Sequence, residues 1–243
     1  RLHEKGLIYR GHYIINWCPR CLTALSNEEA EKEEVRGKIW HLRYPLADGS
    51  GHVTVATTRP ETMLGDTAVA VHPHDKRYRK LIGRRLRLPI VDREVSIVAD
   101  DAIDPAFGSG AVKVTPAHDP TDFEIGKRHG LMSIDVMTPE ARMAETVPEE
   151  LRGLDRFEAR KRVVQRFEEL GLLEKVEEHT HAVGHCYRCH TVVEPRLSEQ
   201  WFVRMAPLAQ PALAAYREGR LRFIPERRGD EYAQWMENIR DWC

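Results

Sequence analysis

Residues 108–122, GSGAVKVTPAHDPTD, bring a lysine (Lys113), a histidine (His118) and two carboxylates (Asp119 and Asp122) into one short stretch. Its first half reads as a strand, because Ala111, Val112, Val114 and Thr115 are small or β-branched and follow two glycines. Its second half reads as a helix start, with Asp119 at the N-cap, Pro120 at the first helical position and Asp122 at the third. A strand-to-helix corner holds charged side chains beside unpaired backbone N–H groups, which suits binding and catalysis. Simpler roles compete with that chemistry. Asp119 is either a cap or a ligand group, Lys113 either lies on the wet face of its strand or meets a substrate, and His118 is either structural or a base.

A second chemistry lies in the cysteines. Four of the five form two C-x-x-C pairs, Cys18/Cys21 and Cys186/Cys189, and Cys243 reads as a simple thiol. Paired knuckles of this spacing point to a tetrahedral zinc site of four thiolates, structural because no coordination position is left open. Residues 22–185 separate the pairs, so a shared zinc would close a stem from which that region projects. The alternatives are two unrelated reduced thiol pairs, two partial sites of which the second knuckle has lost its metal, or His190 in place of one cysteine ligand.

The elements around these groups are mostly strands. The chain has 243 residues, 42% hydrophobic and 31% charged, with a net charge of −1, so no global field draws it to nucleic acid. It carries neither an apolar run long enough to span a bilayer nor a signal-peptide core, and the expected location is cytoplasmic, without membrane contact. The absence of an initiator Met suggests a piece of a longer protein. Residues 26–37 read as a solvated charged connector. From Lys38, short period-two runs separated by Gly, Asp or Pro suggest a barrel or sandwich. Helices are expected over 75–82, over 120–129 with a stop at Gly130, over 155–170, and near 207–218. In 155–170, Asp155 and Glu158 resemble a capping box, and Phe157, Val163 or Val164, Phe167 and Leu170 form an apolar stripe. The predicted fold is α+β, mainly β: a β-barrel with surrounding helices on a zinc-knuckle stem. Its expected parts are a first stem over 1–37, the barrel over 38–177, and a return stem and helical connector over 178–243.

Residues 53–73, VTVATTRPETMLGDTAVAVHP, resemble the editing insertion of class I aminoacyl-tRNA synthetases of the valyl, isoleucyl and leucyl group. The wording ATTRPET…GDTAVAVHP is similar to the valyl type, as are GLDRFEAR, VEPRLSEQWFVRM and MENIRDW, and residues 108–122 match the family's second editing motif. The resemblance runs through essentially the entire chain. The family's HIGH and KMSKS signatures do not occur, so ATP use and adenylate formation are expected only of a full-length parent ligase.

The resemblance implies a second active site. An apolar synthetic pocket cannot strongly reject threonine in place of valine, a discrimination of about 10² for this enzyme class in the standard account of editing. A polar pocket can select the hydroxyl and hydrolyse threonyl-tRNA(Val) to threonine and free tRNA(Val). The implied partners are the tRNA(Val) acceptor end, the threonine ester and the rest of the synthetase. Asp122 then resembles the carboxylate for the substrate α-ammonium, and Asp119 a second acid near the substrate or water. Lys113 would meet the substrate or its reacting ester, while Thr57, Thr58, Thr115 and His118 line the pocket. Arg59 is expected to bind the terminal adenosine or a phosphate, because an arginine in a first helical turn opposes the dipole. For Thr58 and Glu61 a capping box is the competing role. Three other readings remain: a zinc-stapled module that grips the acceptor end without hydrolysis, an isoleucyl- or leucyl-type editing domain, and a zinc hydrolase, which four cysteine ligands disfavour.

Overall fold

The computed structural model describes residues 1–243. The strands are β1 (Ile8–Cys18), β2 (Thr23–Leu25), β3 (Ala30–Pro45), β4 (His52–Thr57), β5 (Ala68–Val71), β6 (Arg85–Leu88), β7 (Arg93–Ala99), β8 (Ala111–Val114), β9 (Leu173–Cys186) and β10 (Glu194–Val203). The helices are α1 (Pro120–His129), α2 (Arg156–Glu169), α3 (Ala206–Arg217) and α4 (Arg227–Glu237), with 3-10 turns at Pro60–Gly65 and Glu149–Leu151. The chain divides into two compact units, Arg1–Tyr13 with Ser198–Cys243, and Ile14–Leu197.

The larger unit, Ile14–Leu197, has two main sheets, beside a short antiparallel pairing of β1 with β2. One runs β4-β3-β9, antiparallel throughout, and the other β6-β7-β5-β8, in which only β5 and β7 are parallel. Alternation along β4 (Val53, Val55) and β6 (Leu86, Leu88) sends every second side chain into a common core, as the two-residue period of a strand requires. Leu42, Tyr44, Met63, Leu64, Val69 and Ile97 fill that core. The fold is therefore mainly β, of the α+β class. The expected barrel is not closed by hydrogen bonds. The two sheets meet at a single bridge, Leu46 to Leu86, and run close together along β4 and β8 without a ladder between them.

Helix α1 ends at Gly130, whose φ of 62° places it in the left-handed region that terminates helices. In α2, Arg156, Ala159, Val163 and Phe167 are the buried face, and Phe167 packs against Tyr44 with ring centroids 6.3 Å apart. Phe157 and Leu170 are exposed, so the apolar stripe is narrower than expected. Asp155 caps the helix through the Phe157 N–H, while Glu158 pairs with Lys161 instead of closing a capping box.

Two stretches depart from expectation. Residues 30–37 are not a connector but the first half of β3, paired with β9 from Ala30–Cys186 onward. Their charges lie on an exposed two-stranded ribbon, which needs no apolar pattern to satisfy its backbone. Residues 75–82 form consecutive turns rather than a helix, tied by Arg77 to Asp75 and to the Pro105 carbonyl.

In the smaller unit, Tyr9 donates to Asp241 at 2.7 Å, and the main chains of Val203 and Trp242 bond to each other in both directions. Helices α3 and α4 pack through Tyr216, Phe223 and Tyr232, and Gly229 leaves room for the Tyr216 ring. No helix is long and apolar enough to cross a membrane.

Candidate functional site

A cleft of about 450 Å³ opens in the larger unit between the end of β4, strand β8 and the start of α1. Thr57, Thr58, Arg59, Lys113, Thr115, His118, Asp119 and Asp122 all line it, joined by Thr62 and the apolar Ile39, Ile103, Phe107 and Ile125. Residues about a third of the unit apart in sequence therefore line one cleft.

Lys113 is buried, which excludes the wet-face alternative. Its ammonium donates to Thr62 Oγ1 at 2.8 Å and Thr115 Oγ1 at 2.5 Å, and lies 3.4 Å from Asp66 Oδ1. Thr115 in turn donates its hydroxyl hydrogen bond to Asp66 Oδ1 at 2.5 Å, and Tyr44 donates to Asp66 Oδ2 at 2.8 Å. Asp66 is thus the buried counter-charge of Lys113. Burial pushes its carboxyl up, against the opposing pull of Lys113, Thr115 and Tyr44. Neither Asp66 nor Tyr44 was anticipated as part of the site. The available signal was an acid set between Met63-Leu64 and the apolar run of β5, a position where only a partnered carboxylate is stable.

Asp119 caps α1 through Oδ1, which accepts from the N–H groups of Thr121 (2.8 Å) and Asp122 (3.0 Å), and it lines the cleft as well. Cap and cleft residue are one side chain. Asp122 Oδ2 accepts from the Thr115 N–H at 2.8 Å. Its carboxyl is pushed up to about 7, chiefly by burial and then by the nearby Asp119 and Asp66 charges, with Lys113 and the Thr115 N–H pulling the other way. His118 is buried and its imidazole is held far below the usual histidine range by desolvation and by neighbouring cations. The neutral ring accepts the Val136 N–H at Nε2 (2.9 Å), so its 3.4 Å approach to Asp135 is not an ion pair.

Thr57 accepts the Arg59 N–H at 3.0 Å. No capping box forms at Thr58–Glu61, because the fully buried Glu61 is taken by a bidentate fork from Arg160 at 2.7 and 2.8 Å. The Arg59 guanidinium lies against Glu61, is hydrogen-bonded to Glu194, and donates to the His118 carbonyl at 3.0 Å. Glu194 also takes Arg156 at 2.6 Å. Arg93 meets the Leu64 and Asp66 carbonyls that the 3-10 turn leaves open. Gly65 is required here, since a Cβ would lie 2.8 Å from the Ile134 carbonyl.

In the same unit, the Sγ atoms of Cys18, Cys21, Cys186 and Cys189 all lie within 4.8 Å of one another, and no disulfide links them. Thiolates around a tetrahedral zinc stand about 3.8 Å apart, given Zn–S bonds of about 2.3 Å. The donor set and spacing fit a metal ion, and His190 is not among the ligating atoms. Both knuckles have the same backbone: the residue after the second cysteine, Leu22 or His190, has positive φ (52° and 56°), and a main-chain bond closes each turn onto the first cysteine carbonyl.

A family profile described as tRNA synthetases class I (I, L, M and V) matches residues 1–243. Among individual proteins, the chain is 59% identical over 243 residues to a valine–tRNA ligase of Carboxydothermus hydrogenoformans, covering all of this chain and 28% of that protein. It is 57% identical over 242 residues to one from Dehalococcoides mccartyi (27% of that protein), and 56% identical over 242 residues to one from Thermotoga maritima (28%). The chain thus spans just over a quarter of the length of these relatives.

Proposed function

Because the chain belongs to the class I tRNA synthetases of the isoleucyl, leucyl, methionyl and valyl group, we propose that its cleft hydrolyses threonine mischarged onto tRNA(Val), as the editing part of a cytoplasmic valine–tRNA ligase. The observation that carries this reading is the convergence of Thr57–Arg59 and Lys113–Asp122 side chains on one 450 Å³ cleft of mixed apolar and polar lining.

The chemistry assigned to the residues follows from their free capacity. Asp122 has one oxygen engaged by Thr115 and offers the other to a substrate ammonium. That contact draws its raised carboxyl into the ionised form. The hydroxyls of Thr115 and Thr62, already ordered by Lys113, can exchange partners with a threonine hydroxyl, which valine lacks. Lys113, whose N–H groups are shared among Thr62, Thr115 and Asp66, stabilises through its positive charge, or by exchanging one of those partners, the negative charge that develops on the ester carbonyl as water attacks. Asp119 orients groups near that water through the oxygen not used for capping. Arg59 frames the corner, and a contact with the terminal adenosine or a phosphate would use its exposed edge. No nucleophile–base pair lines the cleft, and His118 has its Nε2 occupied, so positioning and electrostatics carry the rate.

Four thiols at this spacing suit zinc, held as a structural ion that fixes both knuckles. Release of threonine from threonyl-tRNA(Val) by the full-length enzyme, lowered about 10²–10³-fold in Lys113→Ala with valylation retained, tests the reading. Undiminished release in that variant would refute it. Retained tRNA binding without any release by the unsubstituted protein would leave a binding module.

A further inference from the structure

We propose that residues 193–196 are a clamp that couples metal binding at the four cysteines to the geometry of the cleft, with Glu194 and Arg196 as positioning residues. The inference rests on the cluster holding a metal and on the cleft being the reactive site. The second knuckle closes back on β9 through Cys186 N–H to the Thr191 carbonyl (2.9 Å), and the chain then continues through Val193 N–H to the Gly184 carbonyl (2.9 Å). Val193 packs among Cys18, Leu25, Ala30 and Cys186. β10 begins at the next residue, and its two-residue period puts Glu194 and Arg196 on one face.

Each then grips one end of the site corner. Glu194, itself buried, holds the Arg59 guanidinium with one oxygen and Arg156 with the other, and Arg156 returns to the Val192 carbonyl at 2.8 Å. Arg59 in turn supports the His118 carbonyl, one residue before Asp119. Arg196 donates to the Met137 carbonyl at 2.8 Å and pairs with Asp135 at 3.3 Å, flanking Val136, whose N–H fixes the His118 ring. The residues on either side of the catalytic acids are therefore tied to a strand whose origin is a cysteine knuckle. Loosening the knuckle frees the strand start, and the strand start holds the corner.

The test uses the full-length synthetase, zinc-loaded and then stripped with a chelator, followed by backbone hydrogen exchange read by mass spectrometry. Stripping is expected to speed exchange severalfold in residues 57–61 and 115–122, as well as at the knuckle itself. Glu194→Gln should raise exchange in the same two segments with zinc still bound, and stripping should then add little there. In the hydrolysis assay this variant should lose about tenfold or more in kcat with KM nearly unchanged, the size seen when supporting partners of a site are removed. Arg196→Lys, which keeps the charge and loses the fork, gives the same exchange signature at 115–122 should Glu194→Gln fail to fold. Exchange changes confined to residues 186–193 on stripping, additive effects of Glu194→Gln and stripping, or an enzyme that takes up no zinc would each overturn the proposal. An unsubstituted enzyme that shows the coupling but releases no threonine would instead remove the hydrolytic reading and leave the clamp standing.

Discussion

Two buried polar clusters stand behind the cleft, and they are built on opposite terms. One is a lattice of Arg59, Arg156 and Arg160 around Glu61 and Glu194, in which Arg160 forks onto Glu61 while Arg59 and Arg156 each take one oxygen of Glu194. The other sets the single ammonium of Lys113 among hydroxyls of Thr62, Thr115 and Tyr44 and the carboxylate of Asp66. Guanidinium forks fix geometry and do not release their protons, whereas hydroxyls rotate and can change between donor and acceptor. The first cluster is a frame, and the second can rearrange around a ligand. A polar interior that must meet a substrate is made adaptable only where a fixed neighbour holds its backbone.

The comparison breaks most visibly at Glu61. Glu61→Ala leaves Arg160 without its carboxylate and Arg59 with one fewer, and should destabilise the fold by about 3–5 kcal/mol in chemical denaturation. A loss under about 1 kcal/mol would mean the lattice is not the frame. Lys113→Ala, in the adaptable cluster, should instead lower the hydrolytic rate by about 10²–10³-fold, as removal of one oxyanion donor does elsewhere. Urea titration should show a smaller loss than for Glu61→Ala, since hydroxyls remain to solvate Asp66. Next comes pH. Asp122 has a carboxyl raised to about 7, against about 3.9 unfolded, so the folded protein holds its proton where the unfolded chain has lost it. Stability contributed at low pH by this group is therefore lost as pH rises between those values. Binding of a substrate ammonium requires the ionised form, so kcat/KM should climb with pH up to about 7 and then level. Asp122→Asn should flatten that limb, and an unchanged profile would take Asp122 out of ammonium recognition. The smallest effect belongs to the surface: Lys161→Ala, which removes the exposed Glu158 pair of α2, should shift stability by less than about 0.5 kcal/mol.

Much of the site was legible because its residues carry two local signals at once. Asp119-Pro120-x-Asp122 marks a helix start by capping chemistry alone, and the same residues bring carboxylates to the cleft. The two C-x-x-C pairs announced a four-thiol cluster across most of the chain. What could not be read was pairing at a distance. Asp66 gains its role from Tyr44 and Thr115, Glu61 from Arg160, and Arg59 from Glu194, none of them within reach of a local pattern. Residues 30–37 misled for a related reason: hydrophobic periodicity reports a buried face, and a ribbon open to water on both sides has none. The turns at 75–82 imitate a helix in composition, but Arg77 is held to Asp75 and Pro105 instead.

That charged ribbon bears on how the chain is made. Along β3, Ala30 pairs with Cys186 and Leu42 with Leu173, partners 156 (186 − 30) and 131 (173 − 42) residues away. At about 5–20 residues per second of synthesis, the early strand waits on the order of ten seconds for its mate. An apolar strand left open that long is a template for pairing with other chains. Glu31, Lys32, Glu33, Glu34, Arg36 and Lys38 make this one a poor template while it waits, and its backbone pairs with β9 once that strand emerges.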